Sequence, residues 1–304
     1  MSDADAIPES ETGFDRLLAF TIPGRHARGR AVRLGPVLDT VLSAHEYPTA
    51  IRHLLAEALV LTALLGSLLK DGEGQLTMQA QAQSKDCIVD LLVCDYRAGE
   101  LRGYVRHDAD RLAAIEGFPS LQTLFGDGYL AITFDLATTG QRYQGIVPIE
   151  GASLAEACQS YFAQSEQVPT LIRTAIRWDG QRCIAGGLLV QHLPEGEEGR
   201  ERLHVRMDHP EWEHVAALAG SIRQEELVDA ALSLEALVWR LFHEEDEVRV
   251  EKLAELGRGC RCTVEHYRAV LSRFPAEELE AMRDDEGRIA VDCAFCSRVF
   301  QIDL

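Results

Sequence analysis

Half of the eight cysteines of this 304-residue chain lie within its last 45 residues. Cys260 and Cys262 form a C-x-C pair, and Cys293 and Cys296 form a C-x-x-C pair after an interval of 30 residues. A segment of this size buries too little apolar surface to fold well without a cross-link or a metal. A zinc site, a pair of disulfides and a redox switch are all compatible with the cluster, so its chemistry decides how the end of the chain folds.

The spacing favours zinc. Zn²⁺ prefers tetrahedral sites with thiolate ligands, and two short arms lower the entropic cost of assembling each half of the site. We therefore expect one Zn²⁺ per chain, bound by Cys260, Cys262, Cys293 and Cys296. His266 is a possible substitute ligand, although four cysteines already complete the set. Most four-cysteine zinc sites only hold a small domain together, and that interpretation stays open on spacing alone.

The charge of the chain restricts its partners. The formal net charge is −19, whereas nucleic acids and anionic membranes are bound through basic surfaces, so we expect neither as a partner. The first residues, MSDADAIPES, do not read as a signal peptide, and we expect a cytoplasmic protein. In a reducing cytosol, clustered cysteines indicate metal or redox chemistry more often than permanent disulfides.

The rest of the sequence predicts an α+β protein in three parts. Residues 1–192 alternate strand-like runs with helices irregularly, which favours one α+β domain over a doubly wound parallel sheet. Residues 193–255 form a predominantly helical linker, and residues 256–304 form the small four-cysteine zinc domain. Within the first part we predict helices at 49–70 and 153–167, and strands at 75–83, 87–96 and 100–107. The apolar run 54–69 is too short for a membrane span and contains Glu57, so it reads as a buried helix.

The linker region is strongly acidic. Residues 191–255 contain 17 acidic and seven basic side chains, and PEGEEGRER looks like an exposed connection. Residues 221–248 read as one helix, capped by Ser221 and Gln224, that ends in the acidic run EEDE. Its apolar stripe consists of Leu234, Leu237, Val238, Leu241 and Phe242. An apolar stripe on a self-repelling acidic segment indicates a metastable element that is stable only while it is docked.

The sequence has no Walker loop, G-x-S-x-G elbow, H-E-x-x-H motif or dinucleotide fingerprint, which favours a protein that does not depend on nucleotides. Two alternatives stay open at this point. One is a zinc-ribbon regulatory or binding protein whose metal is purely structural. The other is a thiol oxidoreductase that uses Cys293 and Cys296, although a βαβ setting is missing near that pair.

Several segments together resemble the 33-kilodalton heat-shock protein family of redox-regulated holdase chaperones. They are GDGYLAIT (126–133), RYQGIVPIEG (142–151), YFAQSEQVPT (161–170), AGGLLVQHLP (185–194), VWRLFHEE (238–245) and the C-x-C and C-x-x-C pairs. These segments span nearly the whole chain. Thr263 stands where the family often has serine, and QAQSKDC replaces a turn that is richer in glycine. Neither departure touches a cysteine of the cluster.

The resemblance implies an ATP-independent chaperone for oxidative stress, not an enzyme, with the four cysteines bound to zinc in the reduced, inactive form. Oxidation would form the disulfides Cys260–Cys262 and Cys293–Cys296 and release the metal. The tail and linker would then unfold, and the first domain would form a homodimer. Its partners would be unfolded or partly unfolded client proteins. The remaining cysteines, Cys87, Cys94, Cys158 and Cys183, are expected to be buried as small apolar side chains.

Overall fold

The computed structural model describes residues 13–69, 74–137, 139–179, 182–193 and 209–303. It confirms the α+β class, because helices and antiparallel sheets are mixed along the chain. The strands are β1 (Arg16–Ile22), β2 (Ala27–Leu34), β3 (Gln75–Ala82), β4 (Val89–Arg97), β5 (Glu100–His107), β6 (Gly128–Asp135), β7 (Arg142–Pro148), β8 (Thr170–Asp179), β9 (Arg182–His192), β10 (Arg249–Glu255), β11 (Gly257–Arg258), β12 (Ile289–Asp292) and β13 (Val299–Ile302).

The α-helices of the described residues are α1 (Pro36–Leu42), α2 (Thr49–Gly66), α3 (Ala109–Ala113), α4 (Leu121–Phe125), α5 (Leu154–Tyr161), α6 (Pro210–Gly220), α7 (Gln224–Leu227), α8 (Leu234–Phe242), α9 (Val264–Leu271) and α10 (Ala276–Met282). A 3₁₀ turn follows β1, and a π-helical turn extends α5 through residue 166. The predicted strands at 75–83, 87–96 and 100–107 are confirmed as β3, β4 and β5.

Two large sheets form the body of the protein. The first has the strand order β10-β1-β2-β9-β8, and the second has the order β11-β5-β4-β3-β6-β7. Neighbouring strands are antiparallel except for β5 and β11, which run parallel. A separate two-stranded sheet pairs β12 with β13 near the end of the chain.

Helix α2 packs between the two large sheets and contacts strands of both. Among the described residues it is the helix that is long and apolar enough to cross a membrane, but 78% of it is buried inside the protein. Its burial confirms the prediction of a core helix. Glu57 is buried within it and accepts hydrogen bonds from the amide of Ala155 and the hydroxyl of Thr174, so two partners in other elements offset its burial.

The linker helices cover the outer face of the first sheet. The apolar side chains of the sheet side include Leu18, Phe20, Ile22, Ala31, Leu188 and Val190. Those of the linker side include Trp212, Val215, Leu227, Leu237, Val238 and Phe242. Leu241 lies partly buried at the margin of this cluster. The predicted apolar stripe is therefore the docking face. The segment PEGEEGRER lies outside the described residues.

The prediction of one long helix over 221–248 is wrong. Helix α7 ends at Leu227, and α8 begins after a turn in which the carboxylate of Asp229 accepts a hydrogen bond from the amide of Ala231. The expected cap residues are also wrong, because at the start of α7 the Glu226 carboxylate accepts a hydrogen bond from the amide of Arg223, while Ser233 caps α8. The turn lets both short helices follow the sheet.

A buried arginine holds the turn between α7 and α8. Arg33 on β2 is fully buried, and its guanidinium donates to the backbone carbonyls of Glu226, Leu227 and Leu232. Carbonyls near a helix end otherwise need another donor or water. The linker is thus attached to the sheet by directional hydrogen bonds as well as by apolar packing.

The acidic run after α8 also has partners. Glu245 accepts a hydrogen bond from Arg25 at 2.7 Å and lies 2.6 Å from the ring nitrogen of His214. Arg25 also bonds Glu211 at the start of α6. These contacts oppose the unfavourable position of acidic residues at the negative end of a helix.

The chain then contributes one edge strand to each large sheet. Strand β10 pairs with β1, and β11 pairs with β5, with the buried residue Leu256 between them. The amide of Leu256 donates to the carbonyl of Asp15 at 2.6 Å. The end of the linker region is therefore a strand rather than a helix. We call residues 249–258 the strap.

Candidate metal centre

Four cysteine sulfurs meet where the strap leads into the last part of the chain. Their Sγ atoms all lie within 4.8 Å of one another. Cys293 is buried, while Cys260, Cys262 and Cys296 are half-buried. Residues separated by 30 positions in sequence are thus brought into one cluster, as the spacing predicted.

The local backbone structure brings the two cysteine pairs together at the cluster. Cys260 and Cys262 follow the short strand β11, and Thr263 then caps α9 by accepting a hydrogen bond from the amide of His266. Cys293 and Cys296 lie in the tight connection between β12 and β13. The carbonyl of Cys293 accepts hydrogen bonds from the amides of Cys296 and Ser297, so the second arm is a compact knuckle.

The distances between the sulfurs suit a tetrahedral metal ion. Cys260 Sγ lies 3.2 Å from Cys262 Sγ and 3.6 Å from Cys293 Sγ. Cys262 Sγ lies 3.5 Å from Cys296 Sγ. A tetrahedron with metal–sulfur bonds of about 2.3 Å has edges of about 3.8 Å, so a small expansion of the cluster would admit the ion. Four thiols are also the donor set of structural zinc sites.

The cysteines of the cluster differ in how readily their thiols ionise. Burial opposes ionisation of Cys293, but hydrogen bonds from the Tyr267 hydroxyl and from the amides of Phe295 and Cys296 outweigh it and lower the pKa of Cys293 to about 6. Burial and the neighbouring sulfurs raise the pKa of Cys262 instead. The protein alone therefore favours a thiolate at Cys293, and ionising Cys262 beside it needs a bound cation to offset the added negative charge.

The cluster lies against the second large sheet. The guanidinium of Arg261 donates to Gln75 Oε1 at 2.7 Å and lies 3.7 Å from Asp95 Oδ2. Phe295 lies under the guanidinium of Arg102, which is 4.0 Å from the ring centre. The hydroxyl of Ser297 lies 3.0 Å from the ring nitrogen of His45. Both cysteine arms therefore contact the first part of the chain.

Other sequence-based candidates have different positions. His266 packs against Tyr267, with ring centres 5.5 Å apart, and is not among the converging ligands. Burial raises the pKa values of Cys94 and Cys158, and raises that of Cys183 to about 12, as expected of inert core thiols. Cys87 differs from this expectation, because it is half-buried and its Sγ lies 3.0 Å from the carbonyl oxygen of Phe125.

Sequence reasoning missed the groups that receive the cysteine arms. Asp95 lies in the apolar run CIVDLLVCDY, and it is buried in β4. An acidic residue inside a mostly apolar strand was the available signal, because such a group needs charged or polar partners when it is buried. Those partners, Arg102 and Arg261, are far apart in sequence and come together only through the fold.

Comparison with known proteins gives consistent matches. The family model described as Hsp33 protein matches residues 15–303. The chain is 41% identical over 307 residues to a 33 kDa chaperonin of Caulobacter vibrioides (strain NA1000 / CB15N), and the alignment covers 98% of each. It is 37% identical over 285 residues to a 33 kDa chaperonin of Ectopseudomonas mendocina, covering 93% of this chain and 90% of the relative.

A solved structure supports the fold independently. The 33 kDa chaperonin of Thermotoga maritima, a heat shock protein 33 homolog, superposes with a TM-score of 0.74 and covers 95% of this chain and 94% of its own. The sequence identity of this pair is 22%, so this likeness concerns the fold.

Proposed function

Since the chain belongs to the Hsp33 family, and is thus a chaperone and not an enzyme, we propose that it is a redox-regulated, ATP-independent holdase of the cytoplasm. Its clients are unfolded or partly unfolded proteins. The observation that carries the proposal is the convergence of four cysteine sulfurs in a segment that packs on the same domain as an acidic linker with an apolar docking face. The thiol oxidoreductase considered from the sequence does not fit a chaperone family.

In the reduced state, Cys260, Cys262, Cys293 and Cys296 hold one Zn²⁺. The metal supplies the positive charge that lets four neighbouring thiolates coexist and thereby stabilises the tail. The four cysteines fit this role, because their sulfurs lie within 4.8 Å of one another. The apolar core of the tail has only three buried side chains among the described residues, Leu271, Ile289 and Ile302, so the segment needs the metal to stay folded.

Under oxidation, each pair forms a local disulfide, Cys260–Cys262 and Cys293–Cys296. Each pair of thiolates gives two electrons to one molecule of H₂O₂, which takes up two protons from the solvent and leaves as two molecules of water. This pairing rests on the family resemblance. The sulfurs of Cys260 and Cys293 are 3.6 Å apart, so pairing between the arms is the competing outcome that peptide mapping must distinguish.

Loss of the metal releases the tail, and the linker then leaves the first sheet. Release uncovers two apolar faces, one on the sheet and one on the helices, and these bind clients. The net charge of −19 keeps a protein with so much exposed apolar surface in solution. The released first domain forms a homodimer, whereas nucleic acid and membranes are not partners.

Light scattering of a thermally aggregating client tests the proposal. We expect the oxidised, zinc-free protein to suppress aggregation and the reduced, zinc-loaded protein not to, with release of about one zinc per chain. Cys293→Ser should weaken zinc binding and blur the difference between the two states, while Cys183→Ser serves as the matched control in the core. Equal activity of both redox states would refute the switch, and inactivity of both would refute the holdase.

A further inference from the structure

We propose that Asp95 and Arg102 are positioning residues that together receive both cysteine arms, so that the tail stays seated on the second sheet only while the four-cysteine site is assembled. We call these two residues the receptor pair. The inference rests on the metal binding proposed above and adds the contact through which the state of the cysteines reaches the first domain.

The first arm presents Arg261 to the receptor pair. This residue lies between Cys260 and Cys262, so the position of its backbone is fixed by a cysteine on each side. Its guanidinium reaches over the sheet to Gln75 and lies 3.7 Å from Asp95 Oδ2. A rearrangement of this arm therefore moves the guanidinium directly.

The second arm presents Phe295, which lies between Cys293 and Cys296. The guanidinium of Arg102 stacks over the Phe295 ring at 4.0 Å, and the ring of Tyr104 meets it edge-on at 5.0 Å. A guanidinium placed over an aromatic face is attracted to it, most strongly when the contact is shielded from water.

The two contacts share one buried carboxylate. The side chain of Asp95 is 4% exposed and accepts hydrogen bonds from Nε and Nη2 of Arg102, at 2.8 and 2.5 Å. The hydroxyl of Thr77 donates to the other oxygen at 2.7 Å. The bonds from Arg102 to Asp95 orient its guanidinium over Phe295, while the same carboxylate oxygen attracts Arg261. Both arms are thus connected through a single side chain.

A backbone hydrogen bond next to the first arm shows whether the tail is in contact with the second sheet. The amide of Gly259 donates to the carbonyl of Leu101 at 2.9 Å, one residue before Cys260 and one residue before Arg102. Gly259 is buried against Glu100, and a side chain at this position would overlap that residue. Exchange of the Gly259 amide therefore measures separation of the tail from the sheet without reference to the metal.

The test uses the full-length, reduced, zinc-loaded protein with Arg261→Ala, Phe295→Ala and, as matched control, Arg298→Ala. Arg298 is also a cation close to a cysteine, but it is exposed and its guanidinium lies 5.9 Å from the Phe300 ring, within its own module. Zinc release in peroxide is followed with a chromogenic chelator, and Gly259 exchange is followed by NMR.

We expect Arg261→Ala and Phe295→Ala each to accelerate both processes by about tenfold, equivalent to about 1.4 kcal/mol. Arg298→Ala should stay within about twofold of the wild type, since it removes no contact to the sheet. Arg261→Lys, which retains the charge, should recover most of the protection. Combining Arg261→Ala with Asp95→Asn should accelerate zinc release and exchange by less than the product of the two single effects, because both substitutions remove the same contact between Arg261 and Asp95.

Three results would overturn the receptor pair. They are wild-type rates in both Arg261→Ala and Phe295→Ala, an equal acceleration by Arg298→Ala, or full multiplicativity with Asp95→Asn. A wild-type chain that binds no zinc would instead refute the proposed metal site, and Gly259 exchange would still test the contact. Zinc content of each purified variant shows that its tail has folded.

Discussion

Replacing Phe242 by alanine tests whether apolar packing keeps the linker docked. Phe242 lies at the end of α8, is fully buried, and packs on Phe20 of β1 with ring centres 5.5 Å apart. Trp239 lies three residues earlier on the same helix and is 64% exposed. The two aromatic side chains share a helix and differ in burial, so Trp239→Ala is a matched control.

The size of the effect follows from the cavity that the substitution leaves. Truncating a fully buried phenylalanine costs about 3–5 kcal/mol, since the lost contacts are only partly replaced by relaxation. Because Phe242 contacts the sheet only while the linker is docked, most of this cost falls on docking. A tenfold change corresponds to about 1.4 kcal/mol, so the population of released linker should rise between about a hundredfold and a few thousandfold.

Two measurements on the reduced, zinc-loaded protein check this prediction. Hydrogen exchange of the α8 amides should accelerate strongly in Phe242→Ala, and this variant should suppress client aggregation without oxidation. Trp239→Ala should stay within about 0.5 kcal/mol of the wild type in linker stability. If both variants behave alike, apolar packing of α8 does not hold the linker, and the reasoning fails.

Three further substitutions test other contacts. Arg33→Met leaves carbonyls of the α7–α8 turn without their donor and should destabilise linker docking by about 1–3 kcal/mol, measured by amide exchange. Gly186→Ala places a Cβ in steric overlap with the carbonyl oxygen of Leu227 and should destabilise linker docking by about 1–3 kcal/mol in the same assay. Burial raises the pKa of Glu57, so the native state binds an extra proton above pH 4.5 and loses stability as the pH rises toward the raised pKa. Glu57→Gln should therefore be more stable than the wild type at pH 7, by a margin that shrinks toward pH 4, measured by thermal denaturation.

Each of these outcomes has a distinct contradiction. Arg33→Met would contradict the buried donor role if α8 exchange were unchanged. Gly187→Ala is the control for Gly186, because its Cβ would meet Val60 and Leu64 in the core instead of the linker, and equal effects on the linker would refute the assignment. A stability difference between Glu57→Gln and wild type that does not depend on pH would show that the carboxyl does not titrate in this range.

The sequence predicted the elements whose signals are local. Periodicity identified β3, β4 and β5, and the spacing of the cysteines predicted their convergence. The long apolar run correctly indicated a core helix. In these cases the pattern of apolar residues, or of ligands, is itself the physical cause of the structure.

The sequence failed where distant contacts decide the structure. The helical pattern of 221–248 continues through the turn between α7 and α8. That turn is stabilised by Arg33 of β2, which lies 193 residues before Glu226, the first residue whose carbonyl it binds. Strand β10 has no alternating apolar pattern, since most of its side chains are exposed, and it forms a strand only because β1 offers an edge. The contacts of Asp95 could not be predicted from the sequence either, because its partners Arg102 and Arg261 lie in separate elements.

The strap supplies an edge strand to both large sheets, so its loss would open both sheets at once. Residues 249–258 complete the outer edge of the first sheet through β1 and of the second through β5, and only Leu256 separates the two strands. If the strap peels away, rows of backbone donors and acceptors on β1 and β5 lose their partners together. Such open edges pair with any extended chain regardless of its side chains. A peeled strap would therefore offer main-chain pairing on two sheets, in addition to the apolar faces under the linker.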